Sequence, residues 1–160
     1  MDFKSGKMYL IEERVPLRTH QFLRKELAKG RPALYISKHS PAQLMMQFTN
    51  LHEPLTTKWL SPRPDDDCIP PMNLKIFEEY LHSFLAKNEN GIIILNGMDV
   101  LEMWNGFKPV LKVIKKAREK VGENGASNFI INLDPKNHYD KQLAELERVS
   151  DEVVVSNTEA

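Results

Sequence analysis

The stretch GIIILNG, Gly91 to Gly97, decides how the rest of the chain is read. Four apolar residues follow one another without alternation, and Gly91 and Asn96-Gly97 close them off. A strand with one wet face would alternate, so this one reads as a strand covered on both faces. Upstream, NLKIFEEYLHSFLAKNENG places Leu74, Phe77, Leu81, Phe84 and Leu85 at helical spacing. Downstream, MDVLEMWNGFKPVLKVIKKAREKVGENG reads as helix in two pieces, broken around Asn105-Gly106 and Pro109. Its second piece turns Phe107, Val110, Leu111, Ile114 and Val121 inward and lysines outward.

The same alternation extends in both directions. KMYLIEE, PALYIS, TTKWLS, SNFIINLDP and DEVVVS read as strands. THQFLRKELAKG reads as a helix with Thr19 as N-cap, Phe22, Leu23 and Leu27 on one face, and Gly30 as the stop. SPAQLMMQF is a short helix with Ser40 at the cap and Pro41 at the first helical position. DKQLAELERVS is a helix, and PRPDDDCIPP a proline-rich loop. This is a β-α unit repeated five times with a closing strand. It predicts one α/β domain over residues 1–160, with its core at about 7–156. The architecture expected is a three-layer α/β/α sandwich on a mainly parallel sheet. The terminal NTEA is expected to fray.

Composition narrows the function classes. Lys+Arg and Asp+Glu number 22 each, so no global field recruits nucleic acid or a basic partner. Cys68 is the one cysteine, which excludes an internal disulfide framework and a multi-cysteine zinc site. No segment has the length of a membrane span, and the N-terminal apolar run is too short for a signal peptide. A cytoplasmic protein, not held by a membrane, is expected.

The strand-turn-helix around LIEERVPLRT, Leu10 to Thr19, is where a nucleotide-binding α/β protein would cradle phosphate. The spacing G-x-x-x-x-G-K-[ST] lands on Glu12 and Leu17 for the glycines, Arg18 for the lysine and Thr19 for the hydroxyl. Pro16 removes one backbone donor. A Glu12 carboxylate ~6 Å from a phosphate charge would repel it by about 3 kcal/mol at an effective dielectric of ~20. After IIIL, where a nucleotide hydrolase holds magnesium with a carboxylate, stands the neutral amide of Asn96. Asp99, three residues on, is expected to cap the following helix. These positions read as a vestigial nucleotide site, and no catalytic residue, cofactor or metal is expected.

From Lys7 to Val155 the chain resembles an archaeal family known as domain of unknown function 835. The segments that carry the likeness are MYLIEER, PALYISKHSPAQL, KWLS, GIIILNGMDVLEMWNGFKPVLKVIKKAREKV, INLDP and LAELERVSDEVVV. The family is in turn similar to RecA-like and KaiC-like ATPases. Its members carry Asp-Gly where this chain has Asn96-Gly97, and they lack the phosphate-loop glycines. The resemblance implies a RecA-like fold without a functional phosphate loop. It also implies a strand order of 3-2-4-1-5, with the sixth strand near the strand-5 edge, and a regulatory or interaction role.

Other constellations are weaker. Asp65 to Asp67 read as a solvated loop, and Cys68 as partly buried and inert. His20, His39, His52, His82 and His138 are scattered, with His39 placed to reach the ligand edge of the sheet. Lys112, Lys115, Lys116, Arg118 and Lys120 make a basic helix face without interleaved aromatics, so nucleic-acid binding is not favoured. Trp104, beside the helix break, is an interface candidate. TTKWL is expected at one sheet edge and EVVVS at or near the other, where Val153 and Val155 invite pairing with another chain. The function expected is a non-catalytic interaction module, self-associating as a homodimer or binding another protein. Weak nucleotide binding through Arg18 and Thr19, and nucleic-acid binding through the face 112–120, are the alternatives.

Overall fold

The computed structural model describes residues 3–47 and 54–156. His52 and the terminal NTEA lie outside the described residues. Strands β1 (Lys7–Glu12), β2 (Ala33–Ser37), β3 (Leu55–Leu60), β4 (Cys68–Ile69), β5 (Ile92–Asn96), β6 (Asn128–Leu133) and β7 (Glu152–Val155) form one sheet. Helices α1 (Leu17–Ala28), α2 (Pro41–Gln47), α3 (Leu74–Lys87), α4 (Met98–Asn105), α5 (Phe107–Asn124) and α6 (Asp140–Val149) connect them. Every strand pair is parallel, in the order β4-β3-β2-β5-β6-β1-β7.

That order corrects two expectations. Counted as the six strands read from sequence, it runs 3-2-4-5-1-6, so the fifth strand inserts between the fourth and the first. The last strand then pairs with the first, Leu10 opposite Val153. The proline-rich loop also contributes β4, which pairs with Trp59 and Leu60 and takes the edge from β3. The edge expected of EVVVS is observed.

β5 is buried at all five positions, as an uninterrupted apolar run requires. Alternation along β1 sends Met8 and Leu10 to one cluster and Tyr9 and Ile11 to the other. The first cluster contains the inner faces of α3, α4, α5 and α6, the second those of α1 and α2. Crossovers through α1 and α2 run toward β4, and those through α3 to α6 run the other way. Opposite faces with opposite directions keep a single handedness.

The helix ends follow local chemistry, with two departures. Ser40 and Gln43 bond each other's backbone N–H reciprocally at the start of α2. The helical break falls at Gly106, whose φ of 85° suits glycine, while Pro109 sits inside the first turn of α5, where its missing N–H costs nothing. Helix α1 begins at Leu17, so Thr19 is inside it rather than its cap. Asp99 likewise lies in the first turn of α4, behind Gly97.

Candidate functional site

The carboxyl ends of β1, β2, β5 and β6 surround a cleft of about 310 Å³. Here α1 leaves β1 over one face and α6 leaves β6 over the other, the divergence that opens a crevice in a parallel sheet. The cleft is lined by Glu13 to Pro16, by Lys38 and His39, by Asn96 and Asp99, and by Asn132 to Asp134 with Asn137 and His138.

Its floor is built on the α1 side of the sheet. Continuing the alternation of Tyr9 and Ile11, Glu13 turns toward α1 and is 5% exposed. Its Oε1 accepts from the N–H of Arg18 at 2.9 Å, and its Oε2 from the N–H of Thr19 at 3.2 Å and the Thr19 hydroxyl at 2.6 Å. The first N–H groups of a helix have no partner within it, and the helix dipole favours negative charge there. A carboxylate from the preceding loop therefore occupies the donors that an anion at the start of α1 would need.

A second buried chain of polar groups lies beside it. His20 Nε2 and the Tyr35 hydroxyl are 2.7 Å apart, and Asn96 hydrogen bonds to the same Tyr35 oxygen. Burial, then Arg24, lowers His20 from 6.5 to about 4, so the imidazole is neutral near neutral pH. Burial dominates a rise in the Tyr35 pKa. Asn96 thus spends one hydrogen bond inside the protein while it lines the cleft.

The rim is more open. Lys38 Nζ contacts Asp99 Oδ2 at 2.9 Å, both partly exposed. Burial, then Lys38, lowers the pKa of His39. His138 Nδ1 lies 3.5 Å from Glu102 Oε2. Exposed apolar residues include Val15 in the cleft lining, Leu17 at the start of α1, Met103 and Trp104 at the end of α4, and Tyr139 before α6.

Of the vestigial positions read from sequence, Thr19 and Asn96 meet the cleft region through the bonds above. Arg18 contributes its backbone N–H, and Leu17 is 59% exposed. Glu12 does not join them. It points to the opposite face, toward Glu147 of α6, so the carboxylate that bears on an anion at α1 is Glu13. The alternation of β1 carries that signal. His20, Tyr35 and the Lys38–Asp99 pair were not legible, because their partners lie 15 and 61 residues apart in sequence.

Among the interface candidates, Trp104 is half exposed, and Lys112, Lys115 and Lys120 face solvent. Lys116 lies 3.7 Å from Glu78, and Arg118 pairs with Asp151, so the basic face is partly neutralised. Val153 and Val155 are 37% and 54% exposed on β7. Asp65 to Asp67 are exposed and Cys68 is buried. No helix among the described residues is long and apolar enough to cross a membrane.

A search of curated proteins gave no significant match. The fold is shared with a KaiC-like protein of the hyperthermophilic archaeon Pyrococcus horikoshii, at a TM-score of 0.67 and 13% identity. The match covers 96% of this chain and 73% of the other. A family model described as a protein of unknown function (DUF835) matches residues 16–149, which take in α1, α6 and the cleft residues from Pro16 onward. With that stretch matched and a RecA-like, KaiC-like sheet beneath it, the chain belongs to the DUF835 family.

Proposed function

We propose that this domain is a non-catalytic, regulatory protein-interaction module on a RecA-like fold that has given up nucleotide binding. The observation that carries the reading is the seat of Glu13. Its carboxylate takes two backbone N–H groups and the Thr19 hydroxyl at the start of α1. A phosphate placed there would have to displace a buried anion that already satisfies those donors. Asn96 adds support, since it bonds Tyr35 at the position where a carboxylate would hold magnesium.

The interaction half of the reading rests on exposed apolar surface. Val15, Leu17, Met103, Trp104 and Tyr139 are exposed, and Val153 and Val155 lie on a strand edge. Exposed apolar side chains and unpaired edges are what partner chains cover. A second copy of this chain at β7 is one such partner. The pairing of Lys116 and Arg118 with carboxylates leaves the nucleic-acid reading with less support.

A melting scan with ATP or GTP and magnesium tests the reading. Ligand at about a hundred times its dissociation constant would stabilise the fold by ~2.7 kcal/mol. No shift at millimolar nucleotide is expected, and a shift of several degrees would overturn the loss of nucleotide binding. Light scattering over a range of protein concentrations tests the self-association.

A further inference from the structure

Glu13 takes the donors at the floor of the cleft, yet the cleft keeps polar groups that the fold does not use. Asn132 is the clearest. Ile130 packs on the α1 side of the sheet, so Asn132, two residues on, turns to the side of Glu13. It is 3% exposed and lines the cleft, and no described residue hydrogen bonds its amide. An amide so placed opens only onto the cleft, where a ligand or water must match it. His138 is the second. Its side chain is 3% exposed, its Nδ1 lies 3.5 Å from Glu102 Oε2, and its ring has no other partner among the described residues. A carboxylate beside Nδ1 orients the ring and leaves the other nitrogen for the cleft that His138 lines.

Charge decides which ligands fit. The lining holds three carboxylates, Glu13, Asp99 and Asp134, against two permanent cations, Arg14 and Lys38. A free anion therefore gains little here. Lys38 Nζ and Asp99 Oδ2 stand 2.9 Å apart, with side chains 27% and 31% exposed. They form a reachable pair of opposite charges, one just after β2 and the other in the first turn of α4. A ligand of one sign must break that pair. A ligand with an ammonium and a carboxylate on one carbon answers both, because each charge meets its opposite and no net charge enters the cleft. A volume of about 310 Å³ holds about ten non-hydrogen atoms, at the ~30 Å³ that each water occupies in the liquid.

We propose that the cleft binds a free α-amino acid with a short, uncharged polar side chain. Its carboxylate meets Lys38 and its ammonium meets Asp99, while its side chain reaches in toward Asn132 and His138. No covalent step is involved. The inference rests on the regulatory reading above and deepens it: with the phosphate donors taken by Glu13, an amino acid is what the module senses. Lys38 precedes α2 and Asp99 belongs to α4, so the ligand bridges segments that lead to helices on opposite faces of the sheet.

A melting scan with glutamine, asparagine, serine and threonine tests it, each at about 10 mM and beside the N-acetyl amide of the same residue. The capped forms keep the side chain and lose both charges. At least one free amino acid should raise the melting temperature by about 3–5 °C at roughly ten times its dissociation constant, and its capped form should leave it unchanged. Lys38→Ala and Asp99→Asn should each weaken binding about tenfold or more by calorimetric titration. Asn132→Leu should weaken it as far without lowering the melting temperature of the free protein, since it removes an amide that the fold does not use. A merely structural Asn132 would do the reverse. The proposal is overturned if no free amino acid of the set shifts the melting curve, if the capped forms shift it equally, or if Lys38→Ala binds as the wild type does. ATP with magnesium, run in parallel, keeps two failures apart. A shift with ATP alone overturns both this site and the loss of nucleotide binding; no shift with any ligand overturns this site and leaves that loss standing. Should a variant fail to fold, free against capped ligand on the wild type still decides.

Discussion

Two neighbouring glutamates at the end of β1 meet two different environments. On the α1 side, Glu13 is saturated by a helix N-terminus and a hydroxyl. On the α6 side, Glu12 faces another carboxyl and keeps an oxygen without a partner. Both are nearly buried, at 5% and 7% exposure. Burial alone therefore says little about a carboxyl group. What differs is whether the opposing element presents donors or another acid, and that depends on which end of which helix the strand meets.

Substitutions can break or sharpen this contrast. The largest effect is expected on the α1 side. Glu13→Ala strands three donors at the floor of the cleft, at about 1–3 kcal/mol for each that no water reaches. Urea unfolding should show a loss of at least ~2 kcal/mol near neutral pH. Inorganic phosphate should then restore part of that stability in the variant and none in the wild type, because it can take the vacated donors. Equal phosphate response in the two proteins would mean that Glu13 is no plug. Glu12→Gln should act with the opposite sign, raising stability by urea unfolding above about pH 7 relative to the wild type.

Tyr35→Phe tests the neighbouring network with a smaller effect. It removes the hydroxyl shared by His20 and Asn96 and should cost about 1–2 kcal/mol by urea unfolding. A neutral result would mean that water replaces the hydroxyl and that the floor of the cleft is wetter than the packing implies. The smallest effect is expected at the rim. Lys38→Ala removes a partly exposed ion pair and should change stability by less than about 1 kcal/mol, diminishing with added salt. A larger, salt-independent loss would place Lys38 in the buried network rather than on its edge.

Much of the architecture was legible because it depends on periodicity. IIIL at 92–95 could only be a strand buried twice, and Phe77, Leu81 and Leu85 could only line one helix face. Strand order was less legible. Placing β6 between β5 and β1 depends on how far each crossover carries the chain, and the local pattern of SNFIINLDP is the same in either slot. β4 was missed because a two-residue strand in a proline-rich loop has no period to detect. At the site, the glycine-to-glutamate and lysine-to-arginine replacements were readable as a damaged phosphate loop. The identity of the carboxylate on α1 was not taken from the motif spacing, which pointed to Glu12.

The sequence by itself determined the alternation of strand and helix, the double burial of β5 and the absence of phosphate-loop glycines, since each is a property of neighbouring residues. The tertiary structure decided which of two adjacent glutamates meets a helix N-terminus and which meets Glu147. It also decided that β1 sits between β6 and β7, and that His20, Tyr35 and Asn96 share one buried chain of bonds. Those outcomes depend on pairings across the sheet and between layers, where the chemistry of a side chain is set by a partner many residues away.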